Sequence, residues 1–330
     1  MDFKNEIFDI GDVKTFENIA VELFQHQAAN NPVYQEYLKT LKVNTKTIKT
    51  LFQIPFLPIG FFKTHKVVCG KEEPGQFFTS SGTTGNAQSN HDIFDRALYE
   101  ESFRKGFEHF YGNIKDYCIL ALLPSYAKSS SLVYMMNDLI KQSEHPDSGF
   151  YIDNHEELAE KLIILEKNKQ KVLFFGVPFA LLDFVETGHV SSLKKFGGLI
   201  VMETGGMKGR MKEMVREGLH KILCDKLEID KIHSEYGMTE LLSQAYSKGN
   251  GRFNSPPWMK VLIRDINDPL TLIGNNKTGG INIIDLANIH SCAFIATQDL
   301  GRTHSDGSFV VLGRFDDSDI RGCNLLMGEN

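Results

Sequence analysis

The chain has 330 residues, 42% of them hydrophobic and 24% charged, a globular composition with length for one large domain or two ordinary ones. Its net charge of -6, with no Lys/Arg-rich block, argues against a nucleic-acid partner. The opening MDFKNEIFDIGDVKTFENIAVELF mixes acids into every short apolar run, and no run of about 18 apolar residues follows, so the expectation is a cytoplasmic protein with no signal peptide and no transmembrane segment.

Residues 1–60 read as largely helical and apolar, with Pro55 and Pro58 marking an irregular exit. FFTSSGTTG (77–85) then places two glycines among five hydroxyl residues. Gly82 and Gly85 permit positive φ and close backbone approach, so successive N–H groups can converge on phosphate oxygens while Thr79, Ser80, Ser81, Thr83 and Thr84 add hydroxyl donors. A solvated Ser/Thr/Gly turn is the plainer reading of such a loop. A Walker loop is ruled out, because Asn86, Ala87 and Gln88 follow Gly85 where that motif needs a lysine. A serine nucleophile at Ser80 or Ser81, as in a hydrolase or acyltransferase, stays open, although no GxSxG elbow and no identifiable base accompany it.

From about 92 to 235, polar helical stretches alternate with short apolar runs. DIFDRALYEESFRKGFEHFYG (92–112), SSSLVYMMNDLIK (129–141) and HEELAEKLIILEKNKQ (155–170) read as helices, while YCILALL (117–123), KVLFFGV (171–177) and GGLIVM (197–202) read as buried strands. This alternation predicts an α/β fold with a mostly parallel sheet flanked by helices, whose ligand loops lie at the carboxyl ends of the strands. Beyond about 259 the runs MKVLIRDI, TLIG, GGINIIDL, CAFIATQ and SFVVLGR, separated by Gly, Asn and Asp, predict a β-rich subdomain. The expected organisation is a helical entry and α/β core over 1–258, a β-rich subdomain of the same fold over 259–313, and a short tail over 314–330.

Five cysteines, Cys69, Cys118, Cys224, Cys292 and Cys323, are odd in number and lack CxxC spacing. That fits reduced thiols better than a disulfide framework or zinc site.

Three downstream segments, SEYGMTE (234–240), TQDLGR (297–302) and VLGRFDDSDIRG (311–322), follow the hydroxyl-rich loop in order. Together the four motifs resemble the adenylate-forming superfamily of acyl-CoA synthetases and adenylation domains. IPFLPIGFFKTHKV (54–67), LLPSYAKSSSLVYM (122–135), GVPFALLDF (176–184), ETGGMKGR (203–210) and DIRGCNLL (319–326) make the chain similar to the acyl-protein synthetase, or LuxE, family within it.

The resemblance implies ATP-dependent activation of a carboxylic acid, such as a fatty acid, to acyl-AMP, with acyl transfer to a protein cysteine and on to a partner reductase. It implies nucleotide contacts from Thr79, Ser80, Ser81, Gly82, Thr83, Thr84, Gly85, Gly205, Gly206, Tyr236, Gly237, Met238, Asp299 and Arg314. Tyr236 offers a face for adenine, Thr239 a donor to the α-phosphate, and Glu240 a hard oxygen for Mg²⁺. Asp299 is an acceptor suited to two ribose hydroxyls, and Arg314 a fixed donor fork. Cys323 stands at the place of the acyl-accepting cysteine, where a guanidinium such as that of Arg321 favours the thiolate. Asp316 matches a hinge position, while Lys63 in GFFKTHK belongs to a matched segment without an evident task. With sixteen residues after Arg314, the expectation is that the usual small domain and its lysine are absent. A non-catalytic nucleotide-binding subunit is the remaining alternative.

Overall fold

The computed structural model describes residues 3–70, 75–80, 88–127, 129–188, 196–205 and 216–315. The described residues divide into two compact units that do not follow chain order. One comprises Phe62–Lys66 and Lys71–Pro256, the other Met1–Phe61, Val67–Gly70 and Pro257–Asn330.

The 62–256 unit is built on strands Tyr117–Leu122, Lys171–Gly176, Leu199–Thr204 and His233–Tyr236, neighbours in that order and all parallel. Gly149–Phe150 adds a parallel edge beside Tyr117–Leu122. Ala245–Ser247 and Arg252–Asn254 continue antiparallel on the other side. Every residue of Tyr117–Leu122 is buried, as expected of a parallel strand covered on both faces.

Helices Ser131–Ser143, His155–Lys167, Pro178–Glu186 and Arg216–Leu227 alternate with these strands. Two of their starts are capped by side chains: the Ser130 hydroxyl accepts from the Val133 amide and Asn154 Oδ1 from that of Glu157. Leu120, Leu122, Leu162, Phe174, Phe184 and Leu223 meet in one core cluster. The parallel sheet with flanking helices is thus the architecture that the alternating pattern predicts.

One boundary is corrected. The helix expected to start near Asp92 runs over Arg96–Tyr111, and Asn90–Ile93 is instead a strand, paired antiparallel with Gln76–Thr79. Asp95 explains the later start, because its carboxylate accepts from the Leu98 amide at 2.9 Å and caps the helix there. The hairpin turns Phe78 inward, where it is 1% exposed and sits edge-on to Tyr99 with ring centroids 5.5 Å apart.

The other unit has an antiparallel sheet in the order Leu272–Ile273, Met259–Arg264, Gly279–Asp285, Phe294–Thr303, Phe309–Arg314. Leu57–Pro58 pairs parallel with Ile295 and Ala296, so the proline-bounded exit is a short strand rather than an irregular segment. Proline is tolerated because the edge of a sheet needs no donor there. Helix Val13–Asn30 is tied to this sheet by Gln27, whose amide donates to the carbonyls of Asn288 and Ile289 and accepts from the Ala293 amide. A buried amide with all three partners present is a specific lock between distant chain segments.

Candidate functional site

In the 62–256 unit, two adjacent parallel strands end side by side. Thr204 closes Leu199–Thr204 opposite Glu235 of His233–Tyr236. Gly205 follows Thr204 with φ +74°, a left-handed turn that glycine adopts without steric cost. Gly237, Met238, Thr239 and Glu240 follow Tyr236 and turn the chain back, the Leu241 amide donating to the Met238 carbonyl at 3.1 Å. Carboxyl ends of neighbouring parallel strands are where sheets of this kind hold ligands.

A histidine that sequence reasoning passed over links this turn to the hairpin. His91 is 1% exposed, with Nδ1 2.8 Å from the Thr239 carbonyl oxygen. A carbonyl only accepts, so Nδ1 carries the proton. Phe62 braces the imidazole edge-on, ring centroids 5.6 Å apart. Thr79 and Ser80, at the end of the hairpin strand that pairs with His91's, are thereby held to the 236–240 turn. The only sequence signal for His91 is an ionisable residue at an inward position of a strand, and it falls in the polar stretch expected to lead into a helix starting near Asp92.

The hydroxyls of Thr79 and Ser80 form the stem of the loop. Thr79 Oγ1 donates to Ser129 Oγ at 2.9 Å. Ser80 Oγ accepts from the Ser89 amide at 2.9 Å, while the Ser80 amide donates to the Ser89 carbonyl. Ser80 is thus tied to the backbone of Ser89 across the hairpin. Ser81, Gly82, Thr83, Thr84, Gly85, Gly206, Lys208, Arg210, Asp316, Arg321 and Cys323 lie outside the described residues.

Beneath the 236–240 turn lies an acid cluster. Glu235 is 4% exposed and accepts a short hydrogen bond from the Thr204 hydroxyl. Burial, and to a lesser degree the neighbouring Glu203, push its carboxyl up to about 7, against the lowering effect of that hydrogen bond. A β-carbon on Gly237 would stand 2.4 Å from its Oε1, so any other residue there has to push this buried carboxyl aside. Glu203, 1% exposed, accepts from Arg216 Nε at 3.1 Å. His220 Nε2 lies 3.5 Å from the same oxygen without making a hydrogen bond.

Tyr236 is buried and meets Phe253 edge-on at 5.8 Å. Glu240 is 5% exposed. His233 packs against Tyr111, whose hydroxyl is 3.1 Å from its Nδ1; burial, with Lys231 and Lys248 adding to it, lowers its pKa to about 4. It is a packing residue, as its place in the strand suggests.

In the other unit, Asp299 and Arg314 are directly opposed cross-strand partners, with Arg314 Nε 4.0 Å from Asp299 Oδ1. Arg314 Nη2 donates to Gln298 Oε1 at 3.2 Å, and the Asp299 amide donates to Thr297 Oγ1. The two residues thus share one hairpin face, a carboxylate beside a guanidinium.

Among the described residues no group of three or more His, Cys, Asp or Glu side chains could hold a metal ion. Mg²⁺ needs no such cage, because it keeps several waters and takes one or two carboxylates plus phosphate oxygens. The single carboxylate of Glu240 fits that requirement. The described cysteines Cys69, Cys118, Cys224 and Cys292 are free thiols; burial pushes Cys69 and Cys118 up to about 12, and Cys224 and Cys292 also upward. All four are poor nucleophiles. No described helix is long and apolar enough to cross a membrane.

A family model described as acyl-protein synthetase, LuxE, matches residues 11–330. No curated protein matches. Among solved structures, an open conformation of 2-hydroxyisobutyryl-CoA ligase in complex with 2-HIB-AMP and CoA aligns at TM-score 0.66 and 12% identity, over 92% of this chain and 75% of that one. ATP-bound MatB from Rhodopseudomonas palustris aligns at 0.51 and 17% identity, over 72% and 47%. The long-chain-fatty-acid-CoA ligase FadD1 from Archaeoglobus fulgidus aligns at 0.52 and 19%, over 76% and 52%. The chain spans about half the length of the MatB structures it matches. Likeness at these identities carries the fold alone, which is that of the large N-terminal part of adenylate-forming enzymes with its β-rich end.

Proposed function

We propose that this chain, which belongs to the acyl-protein synthetase, LuxE, family, uses ATP to convert a fatty acid or related carboxylic acid to an acyl-adenylate. The observation that carries the reading is the 236–240 turn at the carboxyl end of a parallel strand, bound through His91 to the hairpin that bears Thr79 and Ser80.

The substrate carboxylate is ionised at neutral pH, since an ordinary carboxylic acid has a pKa of about 4. No general base is required. The carboxylate oxygen attacks the α-phosphorus, the bond to the β,γ-diphosphate breaks, and pyrophosphate leaves with its electron pair. Rate enhancement comes from positioning and from fixed donors aimed at developing charge. Thr239 supplies one such donor to the α-phosphate. Gly205 leaves room for the base beside backbone, Tyr236 walls it, and Gly237 and Met238 set the turn. Asp299 accepts from ribose hydroxyls and Arg314 donates to the ribose or phosphate. Glu240 would hold Mg²⁺, which neutralises nucleotide phosphate charge when bound.

In the second step the Cys323 thiolate attacks the acyl carbonyl, forming a thioester and releasing AMP, before transfer to a reductase. Incubation with ATP, Mg²⁺ and a labelled fatty acid is expected to give acyl-AMP and hydroxylamine-labile protein labelling. Cys323→Ser should retain acyl-AMP and lose the label. Label that survives this substitution contradicts the acceptor role, and absence of acyl-AMP from wild type contradicts the activation step.

A further inference from the structure

Glu235 has no part in the chemistry above, yet its carboxyl sits where the two turns assigned to the nucleotide begin. Cross-strand register places Glu235 between Thr204 and Tyr246. The Thr204 hydroxyl, one residue before Gly205, donates to Oε2. Oε1 packs on Gly237, where an added β-carbon would collide with it. One buried carboxyl therefore supports both the residue that leads into Gly205 and the glycine within the 236–240 turn.

Its surroundings favour the neutral form. Glu203 is a second buried carboxyl in this corner, and the cations go to it: Arg216 Nε donates at 3.1 Å and His220 Nε2 lies 3.5 Å away. Among the described residues no cation forms an ion pair with Glu235. One guanidinium does not compensate two buried carboxylates, and the carboxyl left without a partner is more stable with its proton. Helix Arg96–Tyr111 and strand Ala245–Ser247 bring Tyr99 and Tyr246 within reach; burial, and after it a charge on Glu235, push both phenols upward. His233, two residues earlier, is lowered to about 4 by burial, with Lys231 and Lys248 adding to it, and brings no positive charge at neutral pH.

Gln244 points the same way. Its Cγ would stand 3.3 Å from a β-carbon on Gly237, and its buried Oε1 makes no hydrogen bond. A protonated carboxyl brings a donor to this corner, whereas a carboxylate brings one more acceptor. Ionisation would also set an uncompensated charge against Gly237. The carboxylate then has to draw in water or swing away, and either movement removes support from Gly205, Tyr236 and Gly237.

We propose that Glu235 is a positioning residue whose neutral carboxyl holds the Gly205 and 236–240 turns together, so that the chain binds ATP tightly while this carboxyl keeps its proton and weakly once it ionises. The role rests on the adenylation reading for its place in a reaction and is measurable through ATP binding alone.

The test is titration calorimetry of the full chain with ATP and Mg²⁺, without acid, at pH 7 and pH 8.5. Wild type should weaken roughly tenfold or more over that span, because the binding-competent fraction falls with the proton. Glu235→Gln cannot ionise, so it should match wild type at pH 7 within about threefold and change by less than about threefold up to pH 8.5. Thr204→Val removes the hydrogen bond that favours the charged form and should move the weakening to higher pH. Heats in two buffers of different ionisation enthalpy should show wild type taking up about one proton more per ATP at pH 8.5 than Glu235→Gln.

Wild-type affinity that stays level from pH 7 to 8.5 overturns the role. So does a glutamine variant that weakens as wild type does, or one that is equally impaired at both pH values, the mark of a merely structural carboxyl. If Glu235→Gln does not fold, an unshifted profile in Thr204→Val overturns it instead. Acid-dependent incorporation of pyrophosphate into ATP separates the two claims. Incorporation present while ATP affinity ignores Glu235 defeats the positioning role alone; incorporation absent while ATP affinity follows Glu235 defeats the adenylation reading alone.

Discussion

Buried charge is handled in opposite ways by the two units. In the antiparallel unit the buried cation Arg264, 8% exposed, is satisfied by neutral acceptors, donating to the Ile281 carbonyl, Asn282 Oδ1 and the Thr297 carbonyl. A β-carbon on Gly280 would stand 2.5 Å from its Cζ, so sheet and side chain are fitted together. In the 62–256 unit the buried acids Glu203 and Glu235 end neighbouring strands and Glu240 lies in the candidate turn itself, whereas the buried acid of the antiparallel unit, Asp285, accepts from the Ala287 amide. A guanidinium stays charged and acts as a structural pin, whereas the Glu235 carboxyl, pushed up to about 7 by burial, titrates in the working range. The first unit uses charge to hold a sheet; the second concentrates it where chemistry is proposed.

The largest expected effect separates those roles. Arg264→Ala leaves the Thr297 carbonyl and Asn282 short of a buried partner and should cost about 3–5 kcal/mol in denaturant unfolding. Glu240→Gln should leave stability within about 1 kcal/mol while lowering the rate of acid-dependent adenylation by a hundredfold or more. Comparable loss of stability in both variants would erase the contrast.

Next is pH. Glu235 retains its proton up to about 7 in the folded chain against an ordinary value of 4.5, so its contribution to stability is complete below about 4.5 and fades as pH rises toward 7. His233, lowered from 6.5 to about 4, contributes fully above about 6.5 and loses that contribution as pH falls toward 4. The two slopes oppose each other between about pH 4.5 and 6.5. Glu235→Gln removes only the first, so its stability relative to wild type should climb by about 3 kcal/mol from pH 4.5 to 7. Urea midpoints across that range check it, and a constant difference would sink the assignment.

Gly237→Ala, which forces a methyl onto Glu235 Oε1, is expected to destabilise by about 1–3 kcal/mol and to weaken ATP binding. The smallest effect belongs to the partly exposed pair Asp299 and Arg314. Arg314→Gln should change stability by less than about 1 kcal/mol yet raise the KM for ATP. An unchanged KM would remove Arg314 from the nucleotide contacts.

The parts legible in the sequence are those governed by local periodicity and caps. YCILALL and KVLFFGV reappear as Tyr117–Leu122 and Lys171–Gly176, and the serine-capped run becomes Ser131–Ser143. Helix Val13–Asn30 keeps company with the antiparallel sheet through Gln27 and the carbonyls of Asn288 and Ile289, contacts between residues far apart in the chain that no local pattern encodes. The site divides the same way. Tyr236, Gly237, Met238, Thr239 and Glu240 stand out as a contiguous motif, whereas His91, Glu203 and the Glu235–Gly237 contact exist only once the strands are side by side. Asn90–Ile93 escaped notice because four residues with one inward histidine carry too little alternation to compete with the helical pattern that follows.

The central claim is activation of a carboxylic acid by ATP at the 236–240 turn. The most direct measurement is incorporation of labelled pyrophosphate into ATP with Mg²⁺ present, across acids from short to long chain. Incorporation that depends on the acid and falls at least a hundredfold in Thr239→Ala/Glu240→Gln is the expected result; no acid-dependent incorporation with any member of the panel, or incorporation untouched by those substitutions, would contradict it.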